Sequence, residues 1–211
     1  MRSVSGVGRL VGQISTVALS LGLSVQACAA TVQVIVQDGA GKPLPGAVAF
    51  LESPEAKRLV RPLAGAEIVQ QKLRFNPDVL VVPAGTAVRF PNHDTVRHHV
   101  YSFSPAKKFE LKLYAGVPAN PVLFDQPGVV VLGCNIHDQM VGWVLVMETP
   151  YYVQGTAPDG SLRLDNVPAG SYQLRVWHET LPVGVGAHAQ ALTVSEPGGA
   201  PVVVRLGAVK P

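Results

Sequence analysis

Short stretches of alternating apolar and polar residues, interrupted every few positions by Gly or Pro, run through most of the chain. Residues 31–36 form an extended, β-branched run that gives way to Asp38-Gly39-Ala40-Gly41-Lys42-Pro43, a strand followed by a turn. Residues 47–52 predict a second strand, and residues 53–63, with Pro54, Pro62 and several charges, a linker. Eight short strands follow, over 67–75, 79–82, 87–91, 98–103, 109–113, 122–124, 129–132 and 142–147. Their turns are marked by Asn76-Pro77, Pro83-Ala84-Gly85, Ser104-Pro105 and Gln126-Pro127-Gly128. Residues 172–177 then alternate strictly, and 189–194 and 202–206, joined by Glu196-Pro197-Gly198-Gly199, predict a closing hairpin. Many short strands at even spacing predict an all-β chain of sandwich type.

One stretch breaks this pattern. Arg2 and Arg9 precede an apolar run over residues 10–25 that ends in Ala27, Cys28, Ala29 and Ala30, the layout of a secretory signal peptide cleaved near Ala30. Gly12, Gln13, Ser15, Thr16, Ser20 and Ser24 make the run weakly apolar for a permanent anchor helix. Gln26 suits a lipid-modified Cys28 poorly. Cleavage there predicts a periplasmic protein with no membrane span.

Composition narrows the class. With 211 residues, 47% of them hydrophobic, the chain can bury one ordinary core or two small ones. Its 21 Gly and 18 Pro speak against a helical bundle. Loss of residues 1–30 leaves fifteen basic against fourteen acidic residues, a balance that argues against nucleic acid as partner. The distribution is uneven: residues 55–114 hold ten Lys or Arg against five Asp or Glu. Ordinary solvated loops would explain that, as would a docking face for an acidic partner.

Loss of the leader also leaves Cys134 as the sole thiol of an exported protein, which asks for a specific reason such as a metal. Cys134-Asn135-Ile136-His137-Asp138-Gln139-Met140 supplies one, with a thiolate, an imidazole and a thioether within seven residues. Taken singly, Cys134 and Met140 read as core filler and His137 as a surface residue. Together they are the soft and borderline donors of a copper site with two His, one Cys and a distant Met. Structural zinc rarely uses Met and prefers several thiolates. The second imidazole must come from elsewhere, and Asn92-His93-Asp94-Thr95-Val96-Arg97-His98-His99-Val100 offers it.

These residues resemble the cupredoxins, in particular those of the amicyanin and plastocyanin kind, which carry Cys-x-x-His followed by Met and an earlier His-Asn-Val. The resemblance spans about residues 67–147 and implies a Greek-key sandwich in which Cys134, His137, Met140 and the upstream His98 bind one copper that shuttles single electrons. His99 stands where the family has Asn, Ile136 where it has Pro, and Leu132 where an aromatic is common. His99 and Asn135 are expected to support the ligands rather than bind the metal. His93 is expected in a loop, and His178 and His188 are expected to have no copper role.

The flanks resemble a carboxypeptidase regulatory-like (transthyretin-like) domain, through Gly41-Lys42-Pro43-Leu44-Pro45-Gly46-Ala47 and through Pro158-Asp159-Gly160 with Val167-Pro168-Ala169-Gly170. That resemblance implies a small β-sandwich interrupted by, or flanking, the cupredoxin. The expected organisation is a leader over 1–30, the first part of the flanking domain with its linker over 31–63, the copper domain over 64–149, and the second part over 150–211. The expected function is a periplasmic blue copper protein passing electrons between redox proteins, and not an enzyme. The alternatives are a copper carrier or sensor, and an envelope interaction module with structural copper.

Overall fold

A computed structural model describes residues 29–207, so the apolar leader, with Cys28, lies outside the described residues up to Ala29. The alternation of the first segment does what its pattern dictates. β1 (Ala29–Gln37) buries Ala30, Val32, Val34 and Val36 on one face. β2 (Val48–Glu52) is buried on both faces because it has a core on each side. The expected linker opens with a one-turn helix, α1 (Pro54–Arg58). Ser53, extended at φ −153°, accepts a hydrogen bond from the Ala56 N–H, and Pro54 occupies the first turn, where no intrahelical donor is needed.

The middle of the chain contributes β3 (Ala66–Glu67), β4 (Val69–Gln70), β5 (Phe75–Asn76), β6 (Val79–Pro83), β7 (Thr86–Arg89), β8 (His98–Ser104), β9 (Lys107–Tyr114), β10 (Val122–Phe124), β11 (Gly128–Cys134) and β12 (Val141–Met147). The single strand expected over 67–75 is broken into three. β4 and β5 form a hairpin whose turn holds Lys72 and Leu73 in the left-handed region, both at φ 57°. A five-stranded sheet of order β6-β12-β11-β8-β9 faces the short sheet β10-β7-β3 across a core that includes Phe75, Phe90, Phe124, Val130, Leu132 and Val144.

The last part of the chain supplies β13 (Tyr152–Gln154), β14 (Ser161–Pro168), β15 (Gly170–Trp177), β16 (His188–Val194) and β17 (Val202–Arg205). These strands join the first ones. β1 lies between β14, antiparallel, and β17, parallel, while β2 lies between β13 and β15, both antiparallel. The two sheets, β14-β1-β17 and β13-β2-β15-β16, share a core of residues from both chain ends, among them Val34, Leu51, Leu164, Leu174 and Val204. The expected closing hairpin of 189–194 with 202–206 does not form. β16 pairs with β15, and the chain then crosses to the opposite sheet, where β17 joins the free edge of β1 and sends Val204 and Leu206 into the core. Both partners alternate apolar and polar residues, so periodicity alone could not choose between them.

The two sandwiches are joined through a third apolar cluster. Val48, Phe50 and Trp177, from the outer face of β2 and β15, meet Val79, Leu145 and Met147 from that of β6 and β12. The Trp143 and Trp177 rings lie 6.1 Å apart across this seam.

Candidate metal centre

The site grows from two strand ends placed side by side. In β11 and β8, Gly133 pairs with Tyr101 and Cys134 with Val100, which puts the last residue of one strand near the first of the other. Successive residues of a strand face opposite sides. His98 therefore points inward and is wholly buried, whereas His99 turns outward, with its Nε2 2.8 Å from Glu110 Oε1. His99 meets the ligand loop through its backbone carbonyl, which accepts a hydrogen bond from the Asn135 N–H at 3.0 Å. The Asn135 side chain is exposed.

Past Cys134 the chain folds into two overlapping turns. The His137 N–H reaches the Cys134 carbonyl at 3.4 Å and the Met140 N–H reaches that of His137 at 2.9 Å. These turns return half-buried His137 over Cys134 and seat Met140 in the same buried cluster as Cys134. One donor atom from each of His98, Cys134 and His137 lies within 4.8 Å of the others. His98 Nδ1 and His137 Nδ1 are 3.2 Å apart, and each is 3.7 Å from Cys134 Sγ. Bonds of about 2.0–2.3 Å from nitrogen and sulfur to one first-row ion, spread in a plane, separate the donors by about 3.5–3.8 Å. The trio thus has the dimensions of a metal triangle, and its His₂Cys composition with Met140 close by fits copper. His93 lies exposed on the preceding loop, and His178 and His188 belong to the other sandwich.

Sequence reasoning missed the residue that holds His98. Asp94 Oδ2 is 2.9 Å from His98 Nε2, so the ring directs its Nε2–H to the carboxylate and leaves Nδ1 free for a metal. The same carboxylate accepts the N–H groups of Lys72 and Leu73 at 2.6 and 3.0 Å, clamping the β4–β5 turn to the site. Burial alone would raise the Asp94 pKa. The Leu73 N–H, the His98 hydrogen bond, the Lys72 N–H and the His98 charge outweigh it and hold the carboxyl below its usual range. Asn92 shapes the loop that presents Asp94: its Nδ2 donates to the Val96 and Tyr114 carbonyls and its Oδ1 accepts the Asp94 N–H. The signal was the Asn-x-Asp spacing, which favours an Asx turn but does not name its target.

Behind the triangle, Tyr114 donates to the Phe90 carbonyl at 2.7 Å and contacts Gln70 Nε2. Burial, opposed by Gln70 and aided by the negative charge of Cys134, pushes the Tyr114 hydroxyl up to about 12. Gln70 Oε1 is buried without a hydrogen-bond partner among the described residues.

No protein-family model matches the chain, and no curated protein does. Among solved structures, a purple cupredoxin from Nitrosopumilus maritimus is similar at 26% identity, over 39% of this chain and 99% of that one, with a TM-score of 0.35. A copper-containing nitrite reductase from Thermus scotoductus SA-01 is similar at 26% identity, over 42% of this chain and 23% of that one, with a TM-score of 0.37. An amicyanin variant in its reduced Cu(I) form is similar at 23% identity, over 47% of this chain and 98% of that one, with a TM-score of 0.36. No helix among the described residues is long and apolar enough to cross a membrane.

Proposed function

We propose that this chain is an exported type 1 copper protein of cupredoxin kind that carries single electrons between redox proteins rather than turning over a substrate. The observation that supports it most is the His98, Cys134 and His137 triangle, with its donor atoms within 4.8 Å and Met140 buried beside it. Copper held there supplies a one-electron Cu(I)/Cu(II) couple. The chain's part is to keep the donors still. Cys134 ends a strand paired on both sides, and His98 is buried and fixed through Nε2 by Asp94. A site whose ligands hardly move between two oxidation states exchanges electrons without a large rearrangement, which suits a carrier.

His137 is the triangle member that reaches the surface. On the loops at that end of the sandwich lie exposed apolar residues, among them Val96, Val117 and Ile136, with the exposed cations Lys72 and Arg97 and the exposed carboxylate of Asp138. The excess of Lys and Arg over Asp and Glu in residues 55–114, ten against five, suits a partner whose docking face is acidic, steered by long-range attraction that weakens with salt.

Cu(II) added to the full mature chain should produce an intense visible thiolate-to-copper band at one copper per chain, and Cys134→Ser should abolish it. A band that survives Cys134→Ser would overturn the site.

A further inference from the structure

The electron-carrier reading leaves one feature of the surface unused. Phe103 and Val183 are the most exposed large hydrophobic residues among those described, at 77% and 78%, although they belong to different sandwiches. With Val141 and Val185, also exposed, they line one groove of about 610 Å³. One wall is the outer face of β8 and β11, with Tyr101, Phe103 and Val131, and the other is the loop over residues 183–186. No charged side chain lines it.

The floor is aromatic because of a missing Cβ. Gly133 lies opposite Tyr101 in the ladder, and a Cβ at that position would stand 2.8 Å from Tyr101 Cζ and 2.9 Å from its hydroxyl. Glycine therefore lets the Tyr101 ring lie against the strand. Its neighbour Phe103 is 5.2 Å away, centroid to centroid, with the rings tilted by 41°. Two rings in this arrangement offer faces and edges to a third ring, which prefers centroid distances of about 4.5–7 Å. The opposite wall is thin: Gly184, at φ 87°, and Gly186 have no atoms within 4 Å of where a Cβ would be.

We propose that this groove binds a neutral, largely apolar, ring-containing small molecule, and that the second sandwich is present in the chain partly to build its outer wall. The volume lies within the range of about 300–1,000 Å³ usual for small-ligand pockets, and a junction between domains is a preferred place for one. A protein partner would instead ask for about 800 Å² of contact on each side, over a broader surface than a two-walled cleft presents. An uncharged lining gives a charged ligand nothing to replace its hydration. The proposal does not depend on copper and can be tested without it.

The test is a fluorescence titration of the metal-free full mature chain with N-phenyl-1-naphthylamine, a neutral two-ring probe. Saturable binding at one probe per chain is expected. Phe103→Ala and Val185→Asp, both at exposed positions, should each weaken it at least tenfold while leaving circular dichroism and the thermal midpoint unchanged. Leu59→Ala, at an exposed apolar residue elsewhere, should not alter it. The proposal is overturned by the absence of saturable binding, or by binding that both groove variants leave intact. It is also overturned if those variants change the sedimentation of the chain and not its probe affinity, since the groove would then be a face between copies.

Discussion

At the scale of single residues, the account rests on which side chains reach the metal. His98→Gln should abolish the visible copper band, whereas His99→Gln, on the outward face beside Glu110, should leave it in place. Equal spectra for the two variants would undo the strand-register argument. Asp94→Ala keeps all four candidate ligands but frees His98 Nε2, and loss of such a partner commonly costs about 10- to 100-fold in metal affinity. Competition against a Cu(II) chelator would measure it. Met140→Leu should keep the protein blue and raise its reduction potential, since the weak thioether donor tunes the couple more than it holds the metal. A rise of about 60 mV would be a tenfold bias toward Cu(I). His98, Cys134, His137 and Met140 could be nominated from spacing, because the chemistry of a thiolate near an imidazole and a thioether is local. Asp94 could not, because its role depends on where a loop folds relative to His98.

Residue-level charge also sets an acid limit. Asp159 is held below its usual range by hydrogen bonds from Ser161, and Asp165 by the Arg163 side chain and then by Thr31. A depressed folded-state pKa means that the unfolded chain takes up protons first. The stability from these groups is present above the ordinary carboxylate pKa of about 3.9 and is lost as pH falls through the lower folded values. The urea midpoint of the metal-free chain should therefore hold from pH 7 to pH 5 and fall below about pH 4. Tyr114, raised to about 12, acts at the other end, where stability declines once pH climbs past about 10.

At the scale of elements, alternation exposed most strands of the middle segment. What it could not tell was pairing. β12 lies parallel to β6, and β17 parallel to β1, with long intervening chain in both cases. Alternation is the same for either direction and for any neighbour with a free edge. The helix α1 was legible in Ser53-Pro54-Glu55, a cap followed by Pro and an acid, yet the density of charge and Pro favoured a linker. The stretch 67–75 is broken because β3 pairs with β7 while β4 turns back to pair with β5, and that turn gives Asp94 two N–H donors, a contact 21 and 22 residues away in sequence.

At the scale of the whole molecule, the seam between the sandwiches decides how separable they are. A middle segment read as standing alone would expose Val79, Leu145 and Met147, which are at most 7% exposed in the full chain. The isolated segment over 64–149 is therefore expected to self-associate, which sedimentation would detect. Trp177→Ala in the full chain should cost about 3–5 kcal/mol in urea unfolding, as removal of a large buried aromatic usually does. A cost below about 1 kcal/mol would mean that the seam contributes little to holding the two sandwiches together.

In the proposed role the triangle carries an electron and keeps its metal while doing so. Cyclic voltammetry of the copper-loaded full mature chain at neutral pH, with copper content assayed before and after repeated cycles, tests this most directly. One reversible one-electron couple is expected, with copper retained at one per chain. Loss of copper on reduction, or the absence of a reversible couple in a protein that still binds copper, would contradict it and leave a copper carrier in its place.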